Sequence, residues 1–218
     1  MTASTRFDPA CLQGTAWQGG WGRAPANARR GDAAGLVIKF GGSLLGWPDW
    51  PKRLEDLLGA LPGGAVRLVV GGGPVANGLR ELDAACPQPA ERMHRLAIEG
   101  MRITAQLVAE CLGLTVLDDP LGCVATCGVI DPLAALKRGL LRNLPADWQI
   151  TSDSIAAALA AAAHQTLVLA KSVPPPTTPA AIEKDPTLPA WSLAGWVDPF
   201  FAKAAATVDG VAWVAPVR

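Results

Sequence analysis

The chain has 218 residues, half of them hydrophobic and 17% charged, which is enough to bury one sizeable core. Nineteen basic residues offset nineteen acidic ones, so no net field draws the chain to nucleic acid or to an anionic membrane surface. The longest alanine-rich apolar stretch, 155–163, falls well short of the ~20 residues that a membrane helix needs. Five cysteines without a Cys-x-x-Cys pair suit reduced thiols, and hence a cytoplasmic location, better than a disulfide framework. Two histidines argue against a His-based zinc site, and no metal ligands are assigned.

Residues 1–35 are rich in glycine, contain Arg6, Arg23, Arg29 and Arg30, and lack the apolar run of a secretory signal. They read as a poorly ordered N-terminal extension. An organelle transit peptide is the other reading, against which Trp17 and Trp21 stand. Residues 36–218 read as a single domain. The run 36–40 predicts a buried strand, Gly41 and Gly42 a turn, and 48–61 a helix opened by proline. A second strand over 65–70 ends in Gly71, Gly72 and Gly73, with a helix over 74–84. Two strand–glycine–helix units in succession predict right-handed crossovers and an α/β fold with a mainly parallel sheet.

The longest helical pattern is 89–112, with Met93, Leu96, Ala97, Met101, Thr104, Leu107, Val108 and Cys111 on one stripe. That stripe packs on the sheet or on a second copy, so a homo-oligomer, dimer or higher, is expected. A strand follows over 114–117 and a helix over 131–140. Thr151, Ser152, Asp153 and Ser154 cap an alanine-rich helix to 163, and 166–170 returns as a strand. The segment 173–191 holds six prolines and reads as extended loop. A helix over 198–206 and a strand over 211–215 complete the chain.

Three local patterns carry chemistry. Lys39 ends a strand and is followed by Gly41, Gly42 and Ser43, so backbone N–H groups can approach phosphate oxygens while the ammonium supplies charge. A tight turn with a snorkelling lysine explains the same residues. Gly71, Gly72 and Gly73 end the neighbouring strand at the same sheet edge, where open α/β sheets bind ligands. Thr151, Ser152 and Asp153 make an anion-receptive helix start, although capping alone accounts for their types.

Taken together, these patterns resemble the amino-acid kinase superfamily, which includes acetylglutamate, aspartate and uridylate kinases. The resemblance covers most of 36–215. It implies a three-layer αβα sandwich, ATP with Mg²⁺ as phosphoryl donor, and a small-molecule acceptor. Lys39-Phe-Gly-Gly-Ser43 is similar to the family's opening phosphate motif, Gly71–Gly73 to its second glycine loop, and Thr151–Ala156 to the segment bearing its organising aspartate. The implied roles are catalysis for Lys39, Asp153 and Lys171, and phosphate binding for Gly41, Gly42, Ser43, Thr151 and Ser152. Gly71, Gly72, Gly73, Arg92 and His94 are the implied acceptor residues. Asp153 would orient Lys39 or act through Mg²⁺.

A narrower likeness, carried by His94-Arg-Leu-Ala-Ile98, Met101 and Asp147-Trp148, is to kinases that phosphorylate an aminomethylfuran phosphate in methanofuran synthesis and to their bacterial one-carbon relatives. For such an acceptor, Arg92, Arg95 and Arg102 are candidate anion contacts. The chain departs from the family after its lysine-ended strand, where Lys171 runs into Ser-Val-Pro-Pro-Pro176 instead of a Val-Asp-Gly-Val-Tyr-like nucleotide loop. Another small-molecule kinase of this fold and a non-catalytic nucleotide or oxyanion binder are the alternative readings.

Overall fold

The computed structural model describes residues 7–24, 35–62, 64–176 and 187–217. Seven strands are Trp17–Arg23 (β1), Leu36–Phe40 (β2), Val66–Val70 (β3), Thr115–Leu117 (β4), Cys127–Ile130 (β5), Thr166–Ala170 (β6) and Val211–Pro216 (β7). They form one sheet in the order β1-β7-β6-β2-β3-β5-β4. All pairs are parallel except β1 with β7. The helices are Trp50–Ala60 (α1), Gly73–Ala85 (α2), Ala90–Leu112 (α3), Pro132–Lys137 (α4), Ser152–Ala163 (α5), Thr187–Leu193 (α6) and Phe201–Ala204 (α7). The result is an αβα sandwich around a mostly parallel sheet.

The apolar runs of β2, β3 and β6 are buried on both faces, as parallel strands under two helical layers must be. Alternation splits them between two cores. Val37, Val69, Leu167 and Leu169 join Ile98, Met101 and the α5 residues Ile155 and Leu159. Ile38, Phe40, Leu68, Val70 and Val168 join Leu54, Leu57 and Val108 on the other side. Lys39 has the parity of Val37, so the pleat sends its side chain towards the α5 layer. After β3 the chain builds outwards through β4 and β5, then returns to place β6 on the opposite side of β2. The strand order therefore reverses beside β2, and the carboxyl ends of β2, β3 and β6 open onto the resulting crevice.

The largest departure from expectation is at the N-terminus. Residues 7–24 are not a loose extension: β1 pairs with β7 from Trp17↔Pro216 to Arg23↔Val211. Phe7, Leu12 and Trp17 are fully buried, and Arg23 donates to the Ala205 and Val208 carbonyls. The glycines that suggest disorder are needed for packing, because a Cβ on Gly22 would lie 2.1 Å from the Trp191 ring and one on Gly20 2.9 Å from Trp213 Nε1. Residues 1–6 and 25–34 of the expected extension lie outside the described residues.

Other differences are local. β5 escapes the sequence pattern because its four residues, Cys-Gly-Val-Ile, are too short to show a period, and pairing with β3 and β4 holds them extended. α6 lies across the end of the expected loop 173–191, docked through buried Leu188 and Trp191; residues 177–186 lie outside the described residues. The expected helix 131–140 stops at Lys137, shortly before Gly139 turns left-handed at φ +72°. The expected stripe on α3 divides: Met93, Met101, Thr104 and Val108 are buried within the chain, while Leu107 and Cys111 are exposed. Among the described residues no helix is long and apolar enough to cross a membrane.

Candidate active site

Two glycine turns meet backbone to backbone at the crevice. A Cβ on Gly42 would lie 2.2 Å from the Gly73 nitrogen, and one on Gly73 would lie 2.6 Å from the Gly42 oxygen. Gly73 also sits at φ +49°, so neither position accepts a side chain. Gly42 opens the 3₁₀ turn Gly42–Gly46, and Gly73 opens α2. As first residues of helical segments, they turn N–H groups outward with no acceptor in a preceding turn. Gly42, Ser43, Gly72 and Gly73 line a cavity of about 430 Å³ at this junction.

Two of the expected glycine contacts are not there. The Gly41 N–H donates to the Ala170 carbonyl at 2.8 Å, and the Gly71 N–H to the Phe40 carbonyl at 2.9 Å. Both amides are consumed in tying β2 to its neighbours. Gly41 and Gly71 are framework glycines, and Gly42, Gly72 and Gly73 form the cavity wall.

Asp153 sits at the first turn of α5, beneath these loops, with its carboxylate shared by two lysines. Lys171 Nζ donates to Oδ2 at 2.8 Å, and Lys39 Nζ lies 2.7 Å from Oδ1. The Lys39 contact is a close ion pair without hydrogen-bond alignment, leaving Oδ1 otherwise unpartnered. Burial pushes the Asp153 carboxyl up, but the two ammonium groups outweigh it and hold it below the usual carboxylate range. Burial, with Lys39 nearby, holds the Lys171 ammonium below the usual lysine range despite Asp153. Lys171 also lies 5.0 Å over the Trp196 ring, whose indole N–H donates to the Val173 carbonyl at 3.1 Å.

The start of α5 is fixed by a residue that no local pattern reveals. Buried Asp198 accepts from Thr151 N (3.1 Å), Thr151 Oγ (2.8 Å), Ser154 N (3.1 Å) and Ser154 Oγ (2.5 Å). Its carboxylate gathers the donors of a helix N-terminus. Thr151 supplies the N-cap itself, accepting from Asp153 N. The capping reading of Thr151 is therefore correct, whereas Ser154 donates both its N–H and its hydroxyl to Asp198; together they set the turn that carries Asp153. Thr151 and Ser152 also line the cavity.

The cavity continues between α2 and α3. His94, Ala97, Ile98 and Met101 face it from α3, and Ala76, Asn77 and Arg80 from α2, each set at the three- and four-residue spacing of one helix face. His94 is buried, and its Nδ1 lies 3.3 Å from the Asp147 carbonyl, which can only accept. Burial holds the imidazole below its usual pKa. A neutral imidazole that donates to this carbonyl carries its proton on Nδ1 and leaves Nε2 as an acceptor. Trp148 closes the far end, with its indole N–H on Asp83 Oδ2 at 2.7 Å and the Arg80 guanidinium 4.8 Å over its ring.

The arginines expected to bind the acceptor lie off this face. Arg92 is exposed and donates to Gln88 Oε1 at 2.6 Å, Arg95 pairs with Glu99 at 2.5 Å, and Arg102 pairs with Asp131 at 3.2 Å. None lines the cavity. Arg80 does, and its signal was its position: it follows Gly73 by two helical turns.

Residues 35–175 match the model of the amino acid kinase family. The chain belongs to that family. Among solved structures, the chain is similar to an aspartate kinase from Synechocystis, with 19% identity over 84% of this chain and 40% of that one, at a TM-score of 0.50. It is also similar to a uridylate kinase from Archaeoglobus fulgidus, with 15% identity over 82% of this chain and 99% of that one, at a TM-score of 0.46. A UMP kinase from Ureaplasma parvum matches with 18% identity over 64% and 68% of the respective chains, at a TM-score of 0.42. Among curated proteins, none matches.

Proposed function

We propose that this family member is an ATP-dependent small-molecule kinase. The observation that carries the reading is one buried carboxylate holding two lysines where two glycine loops meet. Phosphoryl transfer asks chiefly for positioning and charge neutralisation, and this corner supplies ordered cations with outward N–H groups. Lys39 would stabilise the transferring group and Lys171 the nucleotide phosphates. The N–H groups of Gly42, Gly72 and Gly73 would receive phosphoryl oxygens. Asp153 would act by orienting both lysines, since each of its oxygens already faces an ammonium.

A triphosphate suits this corner. Among the described residues no group of three or more His, Cys, Asp or Glu is placed to hold a metal. A magnesium ion would thus be held largely by substrate phosphates, as that ion commonly is, and would neutralise part of their charge.

The test is turnover of Mg-ATP against a panel of carboxylate, phosphate and nucleotide acceptors. Lys39→Ala is expected to lower turnover a hundredfold or more; a loss below tenfold, about 1.4 kcal/mol, removes Lys39 from the central role. Tight Mg-ATP binding without turnover of any acceptor would return the chain to the non-catalytic class.

A narrower reading, with aminomethylfuran phosphate as acceptor, is supported by one observation. His94, Met101 and Trp148, which carry that likeness in the sequence, all line the cavity. Mass spectrometry for a second phosphoryl group on that compound tests it directly.

A further inference from the structure

Within the kinase reading, on which this inference rests, we propose that Trp196 is a positioning residue: its indole, tied to the chain just beyond β6, holds the Lys171 ammonium on Asp153. Trp196 lies beyond the family-matched residues 35–175 and does not line the cavity, so its effect on a bound phosphate passes through Lys171.

The need for such support follows from the lysine itself. An ammonium on a flexible four-carbon stem loses rotamer freedom when it is fixed in one place. Lys39 rises from the middle of a fully buried strand, and its side chain is only 5% exposed. Lys171 stands one residue past the end of β6, where the chain runs into Ser-Val-Pro-Pro-Pro176, and its side chain is 17% exposed. It shares its carboxylate with Lys39. Burial and the repulsion of that second ammonium oppose its charge, while Asp153 and Asp198 favour it. Lys171 is thus the less constrained of the two cations.

Trp196 supplies the missing constraint in two ways. Its ring centroid lies 5.0 Å from the Lys171 Nζ, within the ~6 Å at which an aromatic face attracts a cation. Its indole N–H donates to the Val173 carbonyl at 3.1 Å, which ties down the chain two residues after Lys171. The Lys171 backbone N–H donates to the Val214 carbonyl at 3.0 Å, so the stretch is anchored on both sides. The ring is held in turn: it packs edge-on against Trp191 at 4.7 Å, and Trp191 fills the space that Gly22 of β1 leaves open.

The same turn reaches the other partner of the ion pair. The backbone N–H groups of Trp196 and Val197 both donate to the Trp191 carbonyl, at 3.0 and 3.4 Å. Two residues after Trp196, Asp198 accepts from Thr151 and Ser154 at the start of the helix that carries Asp153. One ordered turn therefore braces Lys171 through an aromatic face and Asp153 through its helix start. A lysine after β6 and a carboxylate on α5 gain a fixed separation from a third segment that touches both.

The test reads the two ammonium groups separately in the full chain, with Lys39 as the internal control. Proton exchange of the Lys39 and Lys171 Nζ groups with water is followed by NMR on ¹⁵N-lysine-labelled protein without nucleotide, and Mg-ATP affinity by calorimetry. In Trp196→Leu the Lys171 exchange is expected to rise at least about fivefold and the Lys39 exchange to stay within about twofold, since only Lys171 loses its aromatic face. Mg-ATP binding should weaken at least about fivefold in the same variant, and Trp196→Phe, which keeps a face, should recover most of both losses. If Trp196→Leu does not fold, Trp196→Met, whose flexible chain fills more of the space, takes its place. Equal rises at Lys39 and Lys171, no rise at either, or a Trp196→Phe variant as impaired as Trp196→Leu each overturns the positioning role. A selective Lys171 response in a chain that binds no Mg-ATP would keep the positioning role and remove the kinase reading. Mg-ATP turnover with an unresponsive Lys171 would do the reverse.

Discussion

The two ends of the cavity hold cations in opposite ways. At the glycine-loop end Lys39 and Asp153 have side chains only 5% and 6% exposed, held by a helix start that depends on Asp198. At the remote end Arg80 is exposed, bears on an aromatic face and pairs with no carboxylate among the described residues. Buried charges are costly to desolvate and survive only when paired, so the first end is rigid and its partners cannot be exchanged singly. A stacked surface guanidinium carries no such penalty. The fold thus keeps buried, paired charge at one end of the cavity and an exposed, substitutable cation at the other.

Breaking the rigid end should have the largest effect. Asp153→Ala leaves two buried ammonium groups without their shared carboxylate, and should cost about 3–5 kcal/mol of stability in urea denaturation. It should also abolish transfer even where folding is rescued by low temperature. The pH dependence carries the same signature. The folded Asp153 carboxyl lies below its ordinary 3.8, so its contribution is complete above that value and is lost as pH falls through the lower folded value. Wild-type acid unfolding should be steep in that window, and Asp153→Asn should flatten it.

A smaller break is expected at Asp198→Ala, which removes the acceptor for Thr151 and Ser154 and a carboxylate whose charge reaches Lys171, while leaving the Asp153 contacts of both lysines in place. Loss of a cap and of buried hydrogen-bond partners should cost about 2–3 kcal/mol. If the cap positions Asp153, turnover should fall while Mg-ATP affinity changes little; an equal loss of both would make Asp198 a purely structural residue.

The smallest effect sharpens how far disturbance spreads. Burial pushes the Cys127 thiol up to about 11, whereas Cys86, Cys111 and Cys123 are exposed. Iodoacetamide at pH 8 should label those three first and Cys127 last, by peptide mass spectrometry. In Arg80→Gln the order should hold, and in Asp153→Ala the Cys127 rate should rise if the sheet loosens with the site.

The rigid end was largely legible in the sequence, because its parts are local. A lysine at a strand end, a glycine pair, a triple glycine and a Thr-Ser-Asp cap each declare themselves within a few residues, and strand parity sends Lys39 towards α5. Asp198 was not legible, since its carboxylate reaches Thr151 from 47 residues away and its own neighbourhood reads as an ordinary helix start. Arg80 was passed over for arginines on the longer helix, where stripe geometry turns Arg92, Arg95 and Arg102 away from the cavity. The N-terminal strand was misread for a packing reason: Gly20 and Gly22 are there to admit the Trp213 and Trp191 rings, and composition alone cannot distinguish that need from disorder.

That strand has a practical consequence. Anyone trimming the chain at Leu36, near where the family match begins, would delete β1 and leave β7, a run of buried valine and alanine around Trp213, as a bare sheet edge. Unprotected edges of this kind recruit strands from other molecules. A shortened protein beginning near Leu36 should therefore be handled as an aggregation hazard during expression, and an affinity tag is better joined to a chain that keeps β1 than put in its place.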